Sequence, residues 1–530
     1  MTYHLSEGSI GTAIDHLAKY GDTDVFPHLP EIVFLKERKD EVIDELSKFD
    51  LDTLTASSAF EALAPKSRHG FRIVHQMPLL DNLLFLASII EIGDNIENQR
   101  SDLASGRAHS YRFSIDEDGS IFKKETSYKN WIKLQLTTVK SNLAIKKVVV
   151  TDISDFYARI NFHRIENLLD DAAPKHGAAR FIKKYIKTIR AKQSFGLPVG
   201  GSAARLLAEL ALSDTDRSLE NEGLLATRYV DDFRIFLDSG QDPYDALSLL
   251  AEQLGINEGL SLNAAKTRVL DRTEFLFWIG QQAGDISDEA ENAALEALVD
   301  DIYSDEAPDP QEVEQLKHIN LLELLQEEVG KSKFDMGRIK FLFRALRVAK
   351  PDAAITFLKT NIRELVVFSR EMVLLMQELD KENVGCFDDL HDKVIDLINS
   401  PPASSIQLLK TWLLELFVRG IIKIKPSGIK DLEKGVASTL DRRQMLLIRS
   451  QFDDKNFYRK SKTAFNSMSL FEQPCLIWGA NCLPKDEYEK WLDHIKPQYS
   501  MPLGTLYLKW AAKSGNLKDK LNGTTTEEHD

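Results

Sequence analysis

Two segments of the chain hold aspartates where a carboxylate is costly unless something compensates it. VVVTDISDFY (148–157) is a β-branched run that reads as a buried strand with Asp152 at its end. RYVDDF (228–233) reads as two short strands meeting at Asp231-Asp232. Adjacent acids on a tight turn repel each other unless a cation neutralises them. Hard divalent cations want rigidly placed oxygen ligands. Two of them, about 4 Å apart, suit the joining of a nucleotide to a 3′-hydroxyl. One lowers the pKa of the attacking hydroxyl, and the other holds the triphosphate and the leaving pyrophosphate. Asp152, Asp231 and Asp232 are therefore the candidate catalytic acids and the candidate ligands of two Mg²⁺ ions, with Mn²⁺ as the alternative.

YVDD alone is weak evidence in an acidic chain, where paired surface aspartates are common. The order of elements around it is stronger. An acid-ended strand comes first, then a Gly/Pro loop, FGLPVGG (195–201), opening a helix from about Ser202 to Leu219. The YVDD hairpin follows, then GLSLNAAKT (259–267). Charge is unevenly distributed. Lys123 to Arg205 holds 17 basic residues against 6 acidic, a net of +11 in a chain of net −15, so the remainder carries −26. A local basic region can bind phosphates at one site while the rest of the surface repels them. It also reads as nothing more than the solvated face of a helix over 178–192.

The elements that must position these residues follow from patterning. The first 65 residues read as helices and turns, with EIVFLKERKDEVIDELSKF at helical spacing. FRIVHQMPLLDNLLFLASIIEI (71–92) starts extended, turns at Pro78 and continues as an apolar helix, and 110–124 reads as a hairpin with Asp118-Gly119 at its turn. Helices are expected near 163–172, 177–192 and 243–254, and strand pieces near 260–263 and 275–279. After about residue 285 the pattern is helical throughout, from EAENAALEALVDDIY to IQLLKTWLLELFVRGII. Breaks fall at Pro308-Asp309-Pro310, at Pro351 and at the SPPASS run over 400–405. Short antiparallel helix pairs of this kind suggest irregular, HEAT-like stacking. GTTTEEHD at the end of the chain reads as a disordered tail.

With these motifs in place, the sequence resembles the reverse transcriptases over about residues 65–280. DISDFY is similar to their motif A, QSFGLPVGGSAARLLAEL to motif B, YVDD to motif C and GLSLNAAKT to motif D. RIVHQMPLLDN and AHSYRF are similar to the finger segments that precede motif A in bacterial members. HLAKYGDTDVFP, the LPVGGSAARLLAE form of motif B and the long helical second half resemble the bacterial abortive-infection and defence-associated type. The resemblance implies a role for Tyr157 as a steric gate against ribonucleotides. It implies that Gly196, Pro198, Gly200 and Gly201 keep the motif B loop free of bulk beside the nascent base pair. It implies Arg72 and Arg112 as finger cations gripping the triphosphate, and Lys266 as a proton donor to pyrophosphate. Each also has a plainer reading: a core tyrosine, an ordinary Gly/Pro turn, a surface charge, a solvated lysine.

Other chemistries are set aside. The chain has no GxxxxGK[ST] phosphate loop and no HExxH, and no arginine stands four to seven residues before His318, His391, His494 or His529. Cys386, Cys475 and Cys482 are too few and too scattered for a disulfide framework or a zinc site. No window nears 18 uninterrupted apolar residues and no secretory signal opens the chain, so a cytoplasmic protein without a membrane span is expected.

The expected fold is α+β: a fingers-and-palm unit over 1–285, an all-α domain over 286–520 and a tail over 521–530. The expected function is a DNA polymerase of reverse-transcriptase type that uses dNTPs and acts in antiphage defence. Template-independent, protein-primed synthesis stands beside conventional RNA-templated synthesis from a nucleic-acid primer. A non-catalytic scaffold with a relic palm is the reading from another class, and intact metal acids argue against it. Expected partners are dNTPs, a single-stranded DNA product, an RNA template and further copies of the chain. For priming, Tyr3, Tyr20, Tyr499 and Tyr507 are the candidates, and the sequence does not choose among them.

Overall fold

The computed structural model describes residues 2–189, 193–283, 316, 319–452, 454–499 and 501–515. The helix expected at EAENAALEALVDDIY, the Pro308–Pro310 break and the GTTTEEHD tail lie outside the described residues.

The chain forms two compact units. The first takes Met1–His16, Asp50–Ala59 and Leu83–Glu312, and the second takes Leu17–Phe49, Phe60–Asn82 and Val313–Asp530. This grouping by contacts differs from the expected division at residue 285. The early segments expected with the palm are shared between the units, because their apolar partners lie hundreds of residues away in sequence.

The first unit is built on a four-stranded antiparallel sheet. Its strands are β3 (Lys147–Asp152), β4 (Leu225–Tyr229), β5 (Asp232–Leu237) and β6 (Arg268–Asp271), in the order β4-β5-β3-β6. Central β3 reads KVVVTD and is buried from its second residue onward, as a β-branched run flanked on both sides should be. Helices Tyr128–Ser141 and Arg272–Ala283 close one face through Trp131, Ile132, Leu136, Val139, Phe275 and Ile279, packed on Val148, Val150 and Phe236. The strand expected at 275–279 is therefore helix. Phe275 and Ile279 stand four apart, and that spacing puts both on its buried face. The stretch at 260–263 keeps a single bridge, Leu262 to Ile153. The 110–124 hairpin forms as expected, with Phe113 bridged to Phe122 and Gly119 at φ +85°.

The second unit contains the remaining two strands, β1 (Phe60–Pro65) and β2 (Phe71–Gln76), antiparallel with Phe60 opposite Gln76. β1 was not expected: a six-residue strand carries little periodic signal without its partner. The other regular elements among the unit's described residues are helices. Leu321–Gly330, Met336–Ala349, Ser369–Glu382, Gln407–Val418, Thr439–Ser450 and Gln473–Gly479 each pack on the next. From Ser369–Glu382 onward the row takes every second α-helix. No helix among the described residues is long and apolar enough to cross a membrane.

Candidate active site

β3 ends at Asp152, directly opposite Asp232, the first residue of β5. One residue further, the Ile153 amide donates to the Asp231 carbonyl at 3.1 Å. The main chain of all three acids is thus joined before any side chain is considered. The turn between β4 and β5 is Val230-Asp231, and Val230 has φ +54°. A β-branched residue in the left-handed region costs on the order of 1–3 kcal/mol, so neighbours must hold it there.

On the other flank of β3 runs the GLSLNAAKT segment. The Asn263 amide donates to the Asp152 carbonyl at 2.7 Å, and Asn263 Nδ2 donates to Asp152 Oδ2 at 3.1 Å. Lys266 Nζ lies 2.9 Å from the same carboxylate oxygen and is 54% exposed.

Electrostatics fits a cluster of crowded acids. Burial, then the charges of Asp152 and Asp232, push the Asp231 carboxyl up to about 7. Burial also raises Asp232, with the Arg234 guanidinium pulling the other way. Burial opposes the charge on Lys266, but the hydrogen bond and charge of Asp152 outweigh it and hold the ammonium above the usual lysine range. Arg234 is buried, with its guanidinium 4.8 Å from the Trp131 ring and 5.2 Å from that of Trp278. It stands 3.9 Å from Asp232 Oδ1.

Among the described residues no group of three or more His, Cys, Asp or Glu side chains is gathered so as to hold a metal ion. The three aspartates form an open set, with Asp152 turned to Asn263 and Lys266. Their chemistry nevertheless suits a hard cation: all donors are oxygen, and their mutual repulsion is what a divalent ion would relieve.

The Gly/Pro loop is tied to the residues that follow Asp152. The Gly196 amide donates to the Ile160 carbonyl and the Leu197 amide to the Tyr157 carbonyl, both at 2.8 Å. Gly196 at φ +93° and Gly200 at φ +124° use backbone conformations that side chains resist, and Pro198 is buried between them. Tyr157 is half-buried. Burial raises its phenol well above the usual value, and Tyr111, Arg205 and Asp231 are among its charged or polar neighbours. The fold therefore brings together Asp152, Asp231, Asp232, Tyr157, the loop glycines and Lys266.

Of the two finger arginines, Arg112 differs from expectation. Arg112 is 0% exposed, its Nη1 is 2.9 Å from Glu97 Oε1, and its Nη2 donates to the Ser101 carbonyl. A guanidinium committed in this way cannot reach a phosphate, so Arg112 is a structural ion-pair partner. Arg72 belongs to the second unit, on β2 opposite Ala64. Asn263 and Arg234 were not anticipated. Asn263 sits inside the motif D segment, and that context was its one available signal.

Residues 108–282 match the family model described as reverse transcriptase (RNA-dependent DNA polymerase). No curated protein matches the chain. Among solved structures, apo telomerase from Candida tropicalis is similar with a TM-score of 0.32 and 12% identity, over 72% of this chain and 74% of that one. Telomerase from Candida albicans in complex with the TWJ fragment of telomeric RNA gives a TM-score of 0.31 and 12% identity, over 77% and 71%. Likeness at that level carries no functional argument. Residues 108–282, which contain the three acids, the Gly/Pro loop and Lys266, are a reverse transcriptase domain.

Proposed function

We propose that the protein is a DNA polymerase of reverse-transcriptase type, transferring deoxynucleotides at Asp152, Asp231 and Asp232. The observation that carries this reading is the pairing of Asp152 with Asp232 across β3 and β5, beside a strained turn presenting Asp231. Two Mg²⁺ ions, or Mn²⁺, held by these carboxylates would supply positive charge to the transferred phosphoryl group and acidify the attacking hydroxyl. The chain's own residues do the rest. Asn263 orients Asp152, Tyr157 would act as the gate against a ribose 2′-hydroxyl, and Lys266 holds a proton beside the acids.

Asp231→Asn or Asp152→Asn should abolish incorporation of labelled dNTPs in Mg²⁺ while leaving the fold intact, because asparagine keeps the shape and removes the charge. Incorporation by Asp231→Asn at the wild-type rate would falsify the assignment.

The finer reading is a bacterial, defence-associated enzyme with a HEAT-like helical half that self-associates and makes single-stranded DNA from a protein primer. Its support is the acidic chain with one basic stretch, meagre for holding a long duplex, and the absence of a strand from the described residues after 283. Burial narrows the priming tyrosines. Tyr499 and Tyr507 are 5% and 4% exposed, and the Tyr3 hydroxyl donates to Glu91 at 3.3 Å. Tyr20 is half-buried, whereas Tyr244 is 81% exposed. Product that survives boiling in detergent with the protein and is released by protease supports protein priming. Product that runs free of protein supports a nucleic-acid primer.

A further inference from the structure

The turn that presents Asp231 rests on a buried ionic network. Arg228 on β4 is 1% exposed. It donates to the Asp216 carboxylate through Nε at 2.8 Å and Nη2 at 2.7 Å. Its Nη1 donates to Glu209 Oε2 at 2.8 Å and to the Val230 carbonyl at 3.1 Å. Glu209, on the Ser202–Ala211 helix, is 0% exposed. Its Oε2 also accepts from Arg100 Nη2 at 2.7 Å, and its Oε1 accepts the Ser110 hydroxyl. Ser110 Oγ in turn accepts the Val230 amide at 2.7 Å.

Both main-chain polar groups of Val230 are therefore held from below, its N–H by Ser110 and its carbonyl by Arg228. Val230 is the residue in the left-handed region, and Asp231 follows it directly. Burying four charged groups is poor economy for stability alone, because desolvation cancels much of the Coulombic gain. What such a network supplies instead is fixed geometry. Without an acceptor for its N–H and a donor for its carbonyl, Val230 would relax toward an extended conformation, and the two carboxylates would turn with it.

We infer that Ser110, Glu209 and Arg228 are positioning residues for catalysis: they clamp Val230 in its left-handed conformation and so fix where Asp231 and Asp232 point. This rests on the nucleotidyl-transfer reading of the site. The three residues touch no reacting atom. They act through the turn, so their loss lowers turnover and leaves dNTP affinity nearly unchanged.

The test uses the full chain. Ser110→Thr and Ser110→Val have nearly the same volume and differ in the hydroxyl, so packing errors in the buried site cancel between them. Incorporation of labelled dNTP is measured per folded molecule, with the folded fraction taken from near-ultraviolet circular dichroism. The expected result is a kcat for the Val variant about tenfold or more below that of the Thr variant. KM for dNTP should agree within about twofold and Tm within a few degrees. Ser110→Ala, which adds no volume, gives the same comparison against wild type if the larger side chains misfold. A group that acts only in folding would move Tm and the folded fraction but not kcat per folded molecule. Equal kcat with and without the hydroxyl overturns the proposal. Asp231→Asn in the same assay separates the two claims. If it is silent while Ser110→Ala turns over normally, only the positioning role fails. If it is fully active, the nucleotidyl-transfer reading fails first.

Discussion

A flat phenol at position 157 lies where its removal has a defined consequence. The Tyr157 carbonyl is fixed by the Leu197 amide at 2.8 Å, and its ring shares the neighbourhood of Asp231 and Tyr111. Tyr157→Ala leaves that backbone bond in place and opens a hole beside the acids. The preference for dNTPs over rNTPs should fall about tenfold or more, read as the ratio of kcat/KM for the two substrates. An unchanged ratio would make Tyr157 a packing residue. The aspartates were legible because each ends a pattern: a β-branched run for Asp152, a hairpin for Asp231 and Asp232. Arg112 was not legible in the same way. Its type is the same whether it grips a phosphate or pairs with Glu97, and only burial tells the two apart. The Ser110–Glu209 contact was out of reach altogether: each residue lies in a motif segment, but 99 residues separate them and nothing in either segment names the other as its partner.

At the scale of elements, the sheet could be anticipated in its central strands and not at its edges. β3 carries an unmistakable apolar run, whereas β6, with the sequence RVLD, has two charged residues among its four. The apolar FLFWI that follows suits a strand or a helix equally until its buried face is known. The residue just before the 110–124 hairpin, hydrogen-bonded to β4, makes a prediction about pH. The amide of His109 donates to the Arg228 carbonyl at 3.0 Å, and the imidazole is buried. Burial, then the charges of Arg112 and Arg100, depress its pKa from 6.5 to about 4. Between those values the unfolded chain binds a proton that the folded chain refuses. The stabilisation is therefore complete above pH 6.5 and is lost as pH falls toward 4. About 1–2 kcal/mol should disappear between pH 7 and pH 5 through this group. His109→Gln should show a smaller drop in urea midpoint over that interval than wild type. Parallel drops in the two proteins would remove His109 from the account.

For the molecule as a whole, the chain's path between its two units decides what can be cut away. The second unit is not simply the C-terminal half: it includes Leu17–Phe49 and Phe60–Asn82. Within it, the Phe34 ring lies 5.1 Å from Tyr507 and 5.5 Å from Trp510. Trp412 Nε1 donates to the Val25 carbonyl at 2.8 Å, and Arg443 Nη1 donates to Gln76 Oε1 at 3.2 Å. A fragment ending at residue 285 would keep these early segments and lose every one of those partners. Phe26, Leu29, Phe34, Leu35, Val42 and Leu46 are all buried in the full chain, and truncation would uncover part of that apolar surface on a fragment with nothing to cover it. Exposed patches of this size drive association, and each fully buried side chain of the kind is worth about 1.5–3 kcal/mol when kept from water. The 1–285 fragment should therefore be found in inclusion bodies or in the void volume of a sizing column. Its polymerase activity should be lost even though Asp152, Asp231 and Asp232 are all retained. A soluble, monomeric and fully active 1–285 fragment would mean that the early segments fold without their distant partners, and that the division of the chain into these two units does not govern its stability.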